Sequence, residues 1–378
     1  MRVPRLNTNY SKRMSTTPAV GVLLLEEKSF NDSGYSFMWD AAARNNLTTA
    51  LISWPVGVGA GDYNVPEIFK VGGTQLETLA LMRSNARPQG LLQEVAAHDP
   101  DLYKKVTADE SDDLRTRYAE YVIREKRPEL LLIHLFDLDH FQHNFGPFTP
   151  EAFAILEKED AYVARLIAAA QRAGVMDETA VFIVSDHGFL PITKLIHPGV
   201  LLERAGLIKV QKERDAQGNE KDVVTEWRAM PYVTSASCAI ILRDPKDKDA
   251  LRLAREAFAD LMSVKAGGKL TEQPPLGIVD AKVLRRIGSN LDAAFMLEAN
   301  DGYSFGTNLT GDGITPSKQL GQHGYFPSRY AASFIASGAS VTRRGQLGEI
   351  PMTDIGPTIA RTLGLKLRDA EGRAIKLQ

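Results

Sequence analysis

Leu130-Leu131-Leu132-Ile133-His134-Leu135-Phe136-Asp137-Leu138-Asp139-His140-Phe141-Gln142-His143-Asn144-Phe145-Gly146-Pro147 is the stretch from which the fold is read. It opens as an uninterrupted apolar run, the pattern of a strand buried on both faces of a parallel sheet. It then changes abruptly to carboxylates and imidazoles and stops at a Gly-Pro breaker. In open α/β sheets, ligands sit in the crevice beyond the carboxyl ends of the strands. A strand that releases Asp137, Asp139, His140 and His143 there reads as a site, and the mixed oxygen and nitrogen donors read as a metal site. A solvated loop is the plain alternative for a lone Asp-x-x-x-His, so the rest of the chain decides.

Upstream, Trp39 and Ala41 to Ala43 read as opening a short helix, and Thr48 to Trp54 as a strand ended by Pro55. Gly57 to Gly61 reads as a loop rather than a phosphate cradle, because no helix start follows it. Ser111 to Arg127 reads as a helix capped by Ser111, with two aspartates in its first turn and Leu114, Tyr118, Tyr121 and Val122 on one face. Downstream, Thr149-Pro150 opens the longest helix, whose expected apolar stripe is Phe153, Leu156, Val163, Leu166 and Ile167, with Gly174 closing it. Ala180 to Val184 is another continuous apolar run. Helix and strand alternate with short links, the grammar of a mostly parallel sheet covered by helices on both faces.

The grammar changes after about residue 200. Ile208 to Trp227 reads as a charged hairpin turning at Gly218-Asn219. Cys238 to Leu242, Lys248 to Val264 and Ala293 to Glu298 follow as strand, amphipathic helix and strand. The parallel grammar returns at Ala331 to Ala336, ended by Ser337-Gly338, and Thr353 to Leu363 forms a last helix. The expected organisation is an irregular segment over 1–33, an α/β core over 34–200 and 305–378, and an inserted α+β cap over 201–304.

Composition narrows the functional classes. A formal charge of −2 argues against bulk polyanion binding, so no nucleic-acid-binding surface is expected. Arg2, Arg5, Lys12 and Arg13 gather at the start without interleaved apolar residues. The single cysteine, Cys238, rules out an intrachain disulfide and a cysteine zinc cluster, and its apolar neighbours suggest a packed thiol. No apolar run is long enough to span a membrane, and Gly21 to Leu25 is too short for a signal peptide, so the chain as written reads as cytoplasmic. Nothing in the sequence sets an oligomeric state.

Three strand ends deliver metal-capable groups. The first carries Asp139 and His143. The second is Val184-Ser185-Asp186-His187-Gly188, where Asp186 and His187 leave a strand together. Adjacent strand side chains point to opposite faces, so both reach one ion only if the backbone bends, as Gly188 permits. The third is Gly321-Gln322-His323-Gly324-Tyr325. Carboxylate with imidazole suits Zn²⁺, with Mn²⁺ or Fe²⁺ also compatible, better than Mg²⁺ or Ca²⁺. Two such ions would form a clamp for in-line displacement at phosphorus. The other histidines have milder readings: His98 in a polar loop, His134 within a strand and in the core, His197 in a loop before Pro198, and His140 beside the ligands.

Asp139-x-x-x-His143-x-x-Gly146-Pro147, Ser185-Asp186-His187-Gly188 and Gly321-x-His323-Gly324-Tyr325, in this order and spacing, resemble the type I phosphodiesterase/nucleotide pyrophosphatase family of the alkaline phosphatase superfamily. Thr353-Asp354-Ile355-Gly356-Pro357-Thr358 with Leu363-Gly364, and the segment from Trp39 to Pro55, fit the same pattern. The resemblance implies an alkaline-phosphatase-like fold and hydrolysis of phosphodiesters or nucleotide pyrophosphates. It implies one zinc site at Asp139, His143 and His323, and part of a second at Asp186 and His187. Its members are often exported.

The resemblance also implies an Asp at the end of a first core strand and a Thr or Ser nucleophile at a helix N-terminus, phosphorylated during turnover. No apolar strand ending in Asp-Gly precedes Trp39. Thr16-Thr17-Pro18 copies a Thr-x-Pro nucleophile superficially, but the Asn and Leu-x-Thr-Gly that should follow are missing. The chain is therefore expected to have one three-ligand site and one weak site. It reads either as a metal-dependent phosphoester hydrolase or as a truncated or degenerate metal-binding remnant. A sulfatase would need a Cys- or Ser-x-Pro-x-Arg motif, and none is present.

Overall fold

The structure is a computed structural model, and it describes residues 22–23, 36–70, 74–104, 111–214, 218–263, 265–266, 269–270, 273–289 and 292–378. Thr16 lies outside them, as does all of the expected irregular segment 1–33 except one short strand.

The first half runs β1 (Val22–Leu23), α1 (Met38–Ala43), β2 (Thr49–Ile52), β3 (Tyr63–Val65), β4 (Phe69–Lys70), α2 (Gln75–Asn85), α3 (Leu91–His98), α4 (Asp112–Glu125), β5 (Leu130–Ile133), α5 (Asp137–Phe145), α6 (Pro150–Arg172) and β6 (Ala180–Val184). β7 (Leu190–Ile196), α7 (Pro198–Arg204), β8 (Ile208–Arg214), β9 (Glu220–Trp227), β10 (Ala229–Thr234), β11 (Ser237–Leu242) and α8 (Lys248–Glu256) follow. The chain then makes β12 (Lys265–Ala266), β13 (Lys269–Leu270), β14 (Leu276–Asp280), α9 (Ala281–Ile287), β15 (Ala293–Ala299), β16 (Gly302–Phe305), β17 (Ile314–Pro316), β18 (Gly321–Gln322), β19 (Phe334–Gly338) and α10 (Ile355–Thr362).

The mixed α/β class holds, and the sheet is divided. β3-β2-β5 is parallel, with Thr49 opposite Leu130 and Ile52 opposite Ile133. β19 pairs with β6 in the antiparallel sense, Phe334 opposite Val184 and Gly338 opposite Ala180, where parallel pairing was expected. The chain enters β19 at Phe334 opposite Val184, the last residue of β6, so the strand starts at the carboxyl end of β6 and runs back along it. β19 starts at Phe334, later than the expected Ala331, and ends with Ser337 and Gly338.

β7 joins β16 in parallel and β17 and β18 in antiparallel fashion. β10-β11-β15-β14 forms a separate antiparallel sheet, and β8 with β9 is the charged hairpin read from the sequence. The largest apolar cluster lies between that sheet, β7 and α8, centred on the fully buried Phe258, Phe295, Ile196 and Leu202. A second cluster packs α3 and α4 on β2 through Leu91, Leu92, Tyr118 and Val122. Cys238 is buried in the first cluster, and burial pushes its thiol pKa up.

Several local expectations shift. β5 is buried only at Leu130 and half-buried beyond it, so it is not enclosed on both faces. Phe153 and Leu156 are exposed, and α6 instead buries Ala152, Ile155, Tyr162, Ala169 and Ala170. Leu156 and Ile155 are neighbours in sequence but about 100° apart on the helix, so a stripe assigned one residue off looks outward. Thr149 does cap α6, accepting the Ala152 amide at 3.3 Å. The helix expected over 248–264 stops at Glu256, and Ala259–Met262 continues as a 3₁₀ turn.

One close approach sets the position of β18. A Cβ on Gly321 would lie 2.2 Å from the Gln142 carbonyl oxygen of α5. Only a glycine lets the strand sit that near the helix. The Leu320 amide donates to the His143 carbonyl at 2.8 Å across the same contact. Gly321→Ala must therefore separate α5 from β18. Overpacking of this kind costs about 1–3 kcal/mol, and the loss is expected as a lower midpoint in urea unfolding with an unchanged slope.

Candidate functional site

The expected ligands meet at the carboxyl ends of β5 and β6. Asp139 and His143 are not in a solvated loop, the plain alternative for this stretch, but on α5, one helical turn apart. That spacing puts both on one face, with His143 Nε2 3.6 Å from Asp139 Oδ2. From the loop after β6, His187 Nε2 reaches to 3.7 Å from Asp139 Oδ1. From the end of β18, His323 Nε2 comes to 3.9 Å from the same oxygen. One carboxylate is thus faced by three imidazoles from three segments. Asp139, His143 and His323 offer ligand atoms that all lie within 4.8 Å of one another.

Asp186 lies 3.4 Å from His187 Nε2, so the two consecutive side chains do turn to the same side. Gly188 contributes through space rather than through a left-handed backbone. A Cβ there would meet the Ala331 carbonyl oxygen at 2.7 Å and the Tyr330 ring at 2.8 Å. Asp186 is open to solvent, with a 76% exposed side chain, while Asp139 is 36% exposed.

Backbone carbonyls set the imidazole orientation. His143 Nδ1 donates to the Gly321 carbonyl at 3.1 Å, and His187 Nδ1 to the Gly188 carbonyl at 3.1 Å. A carbonyl only accepts, so each Nδ1 donates a proton to it, and Nε2 is the nitrogen that each ring turns toward Asp139. This is the orienting arrangement that metal-binding histidines use. The His187 and His323 rings stack at 3.7 Å between centroids, 8° from parallel. Phe189, which follows Gly188 and is buried, packs against His143, His187 and His323 at 4.9, 5.4 and 5.2 Å. It was not anticipated, although an aromatic directly after the second motif was there to be read.

Burial pushes the Asp139 carboxyl up, against the pull of His143 and His187. Burial, then the neighbouring His187 and His143, lowers His323 to about 4, so it is neutral at neutral pH with its lone pair available. Oxygen and nitrogen donors in this number and orientation fit a divalent ion.

His134 is not a core residue. It follows β5, half-buried, with Nδ1 3.2 Å from Glu67 Oε1. Burial opposes its charging, but Glu67 outweighs burial and raises its pKa. His140 contacts Asn144 at 3.0 Å and stays outside the ligand group. His98 ends α3 and packs edge-on against Tyr121. His197 does lie in the loop before Pro198, where it is buried, bonded to Thr315 and to the Asn308 amide, with its pKa lowered by burial.

The helix bearing Asp139 is fixed by an exchange of caps. Asp112 Oδ2 accepts the amides of Phe136 and Asp137 at 2.6 and 2.7 Å, at the start of α5. Asp137 in return accepts the Ser111 amide and hydroxyl, each at 3.0 Å, and the Asp112 amide at 2.9 Å, at the start of α4. Ser111 was expected to cap α4 with its own hydroxyl, but that hydroxyl donates to Asp137. Each carboxylate stabilises the other helix's positive end.

The profile of the family described as "Type I phosphodiesterase / nucleotide pyrophosphatase" matches residues 1–326. No curated protein matches the chain. Among solved structures, human ectonucleotide pyrophosphatase/phosphodiesterase 5 is similar over 89% of this chain and 72% of its own, at 16% identity and a TM-score of 0.56. The murine protein of the same name is similar over the same shares and identity, with a TM-score of 0.57. So is its inactive threonine-to-alanine variant in complex with AMP. These neighbours share the alkaline-phosphatase-like fold. The family is metal-dependent and hydrolyses small-molecule phosphoesters, and no helix among the described residues is long and apolar enough to cross a membrane. The three sequence motifs, their convergence on Asp139 and the profile match together make this chain a member of the type I phosphodiesterase/nucleotide pyrophosphatase family.

Proposed function

We propose that the chain hydrolyses phosphodiester or nucleotide pyrophosphate bonds at a zinc centre held by Asp139, His143 and His323, with Asp186 and His187 as an incomplete second set. The convergence of those first three ligand atoms carries the reading. The AMP complex of the murine relative supports a nucleotide substrate class. When bound, zinc supplies a Lewis acid that offsets charge on the phosphoryl oxygens. The chain's own part is to fix the donors. The Gly321 and Gly188 carbonyls hold the Nδ1 protons of His143 and His187, and Phe189 supports the rings. His323 stays unprotonated down to about pH 4, so it does not need to lose a proton to bind. Mn²⁺ or Fe²⁺ is compatible with the same donors.

The high exposure of Asp186 favours a second reading, a metal-binding remnant of the family without turnover. Two carboxylate and imidazole groups at an open position leave an ion poorly enclosed, so the second set should bind weakly.

Zinc titration by calorimetry is expected to give one tight ion per chain. Asp139→Ala, His143→Ala and His323→Ala should each weaken it by more than the roughly 10–100-fold typical of outer-shell changes, and Asp186→Ala should leave the tight ion in place. Equal weakening in all four variants would sink the assignment.

Zinc-loaded chain is expected to hydrolyse bis-para-nitrophenyl phosphate, to lose this on chelation and to lose it in Asp139→Ala. Survival of the activity in Thr16→Ala would mean that the nucleophile lies elsewhere. Wild-type turnover no higher than that of Asp139→Ala would leave the remnant reading.

A further inference from the structure

Glu159 projects from α6 against the exchanged caps of α4 and α5, where its carboxylate joins those of Asp112 and Asp137 within 4.8 Å. Both Glu159 oxygens are shielded from solvent and have no hydrogen-bond donor. Every other oxygen in the group is served. Asp112 Oδ1 accepts from Arg115 at 2.6 Å, and its Oδ2 accepts two backbone amides. Asp137 accepts from Ser111 and from the Asp112 amide. The charged and titratable groups facing Glu159 are Asp112 and Arg115 of α4 and Asp137 of α5. Arg115 gives Nη1 to Asp112 and Ser111 and lies over the Phe136 ring, while its buried Nε has no partner and makes no bond to Glu159.

A carboxylate buried without a donor beside two other carboxylates is strongly unfavourable. A proton on Glu159 removes the charge and turns the acceptor into a donor. A divalent cation would also neutralise the group. However, it would have to sit beside two helix N-termini and a guanidinium, on oxygens whose lone pairs are largely taken by N–H groups.

We propose that Glu159 is a protonated carboxylic acid in the folded protein, donating to Asp112, and that this shared proton bolts α6 to the cap exchange that positions α5. Glu159 is thus a positioning residue for Asp139 and His143. The protonation stands independently of the zinc assignment, whereas the effect on zinc rests on the proposed ligand set, so the two fail separately.

The sign of the pH dependence follows. Burial, then Asp112, lifts the Glu159 carboxyl from 4.5 to about 9. The unfolded chain gives up this proton near pH 4.5 and the folded chain keeps it. Its contribution to stability is fully present below the lower value and is lost as pH rises toward the upper one. Across that window one proton changes the folding constant by about tenfold per pH unit.

Denaturant unfolding of the full chain between about pH 6 and about pH 8 tests this in wild type, Glu159→Gln and Glu159→Ala. Glutamine keeps the donor and removes the titration. The ratio of its folding constant to that of wild type should therefore rise about tenfold per pH unit. An infrared carbonyl stretch of a protonated carboxyl should be present in wild type at neutral pH and absent in Glu159→Gln. Zinc affinity should be kept by Gln and lowered in Glu159→Ala. A pH-independent ratio with no such infrared band overturns the protonated acid. So does binding of magnesium or calcium that survives Asp139→Ala but is lost in Glu159→Gln. Equal zinc affinity in all three proteins overturns the positioning role alone.

Discussion

The Asp139 carboxylate faces imidazole nitrogens of His143, His187 and His323 at 3.6, 3.7 and 3.9 Å, and the rest of the site is arranged around that encounter. In His143 and His187, Nδ1 donates to a backbone carbonyl, which turns Nε2 toward Asp139. The backbone thus turns both nitrogens toward one carboxylate, a donor set of the kind that could hold a metal ion.

Burial acts on the same groups. It raises the Asp139 pKa and lowers that of His323, favouring the neutral form of each. A neutral imidazole is a ready ligand, while the carboxylate needs a nearby positive charge to remain ionised. Burial thus favours the neutral imidazole of His323 and leaves the Asp139 carboxylate dependent on nearby positive charge. Asp186, largely in water, has no comparable enclosure. The two acidic members of the site are therefore unequal by environment.

Much of this was legible because metal ligation needs particular residue types and strand ends need particular patterns. The runs at Leu130 and Ala180, each followed by Asp and His, were visible without coordinates, and so was the isolated His323 between glycines. What was not legible depends on contacts between distant segments. Ser111 looks like a cap from its position, yet the acceptor at that helix start is Asp137, 26 residues on. Glu159 looks like one more surface acid in Glu157-Lys158-Glu159-Asp160, and only the packing of α6 on α4 and α5 buries its oxygens. The start of the α6 stripe was misread because Ile155 and Leu156 are equally apolar and helical phase alone distinguishes them, whereas Leu166 further along does pack on the core. The direction of β19 was fixed by the end of β6 at which the chain enters it, which local pattern does not encode.

The precision of the site must come from somewhere other than the sheet. Among the described residues β5 pairs only with β2, and β6 only with β19, so no ladder sets the distance between the two strand ends that supply Asp139 and His187. The connection runs instead through β18. Gly321 presses on the Gln142 carbonyl, its own carbonyl holds His143, and it pairs with Pro191 just after Phe189. Two residues of strand thereby tie α5 to β7, and His323 follows immediately. Three ligand segments share this one short element, so an error in its placement displaces all of them at once. The glycine that permits the contact is as much part of the site as the donors, because a side chain there would move the donors without removing any of them.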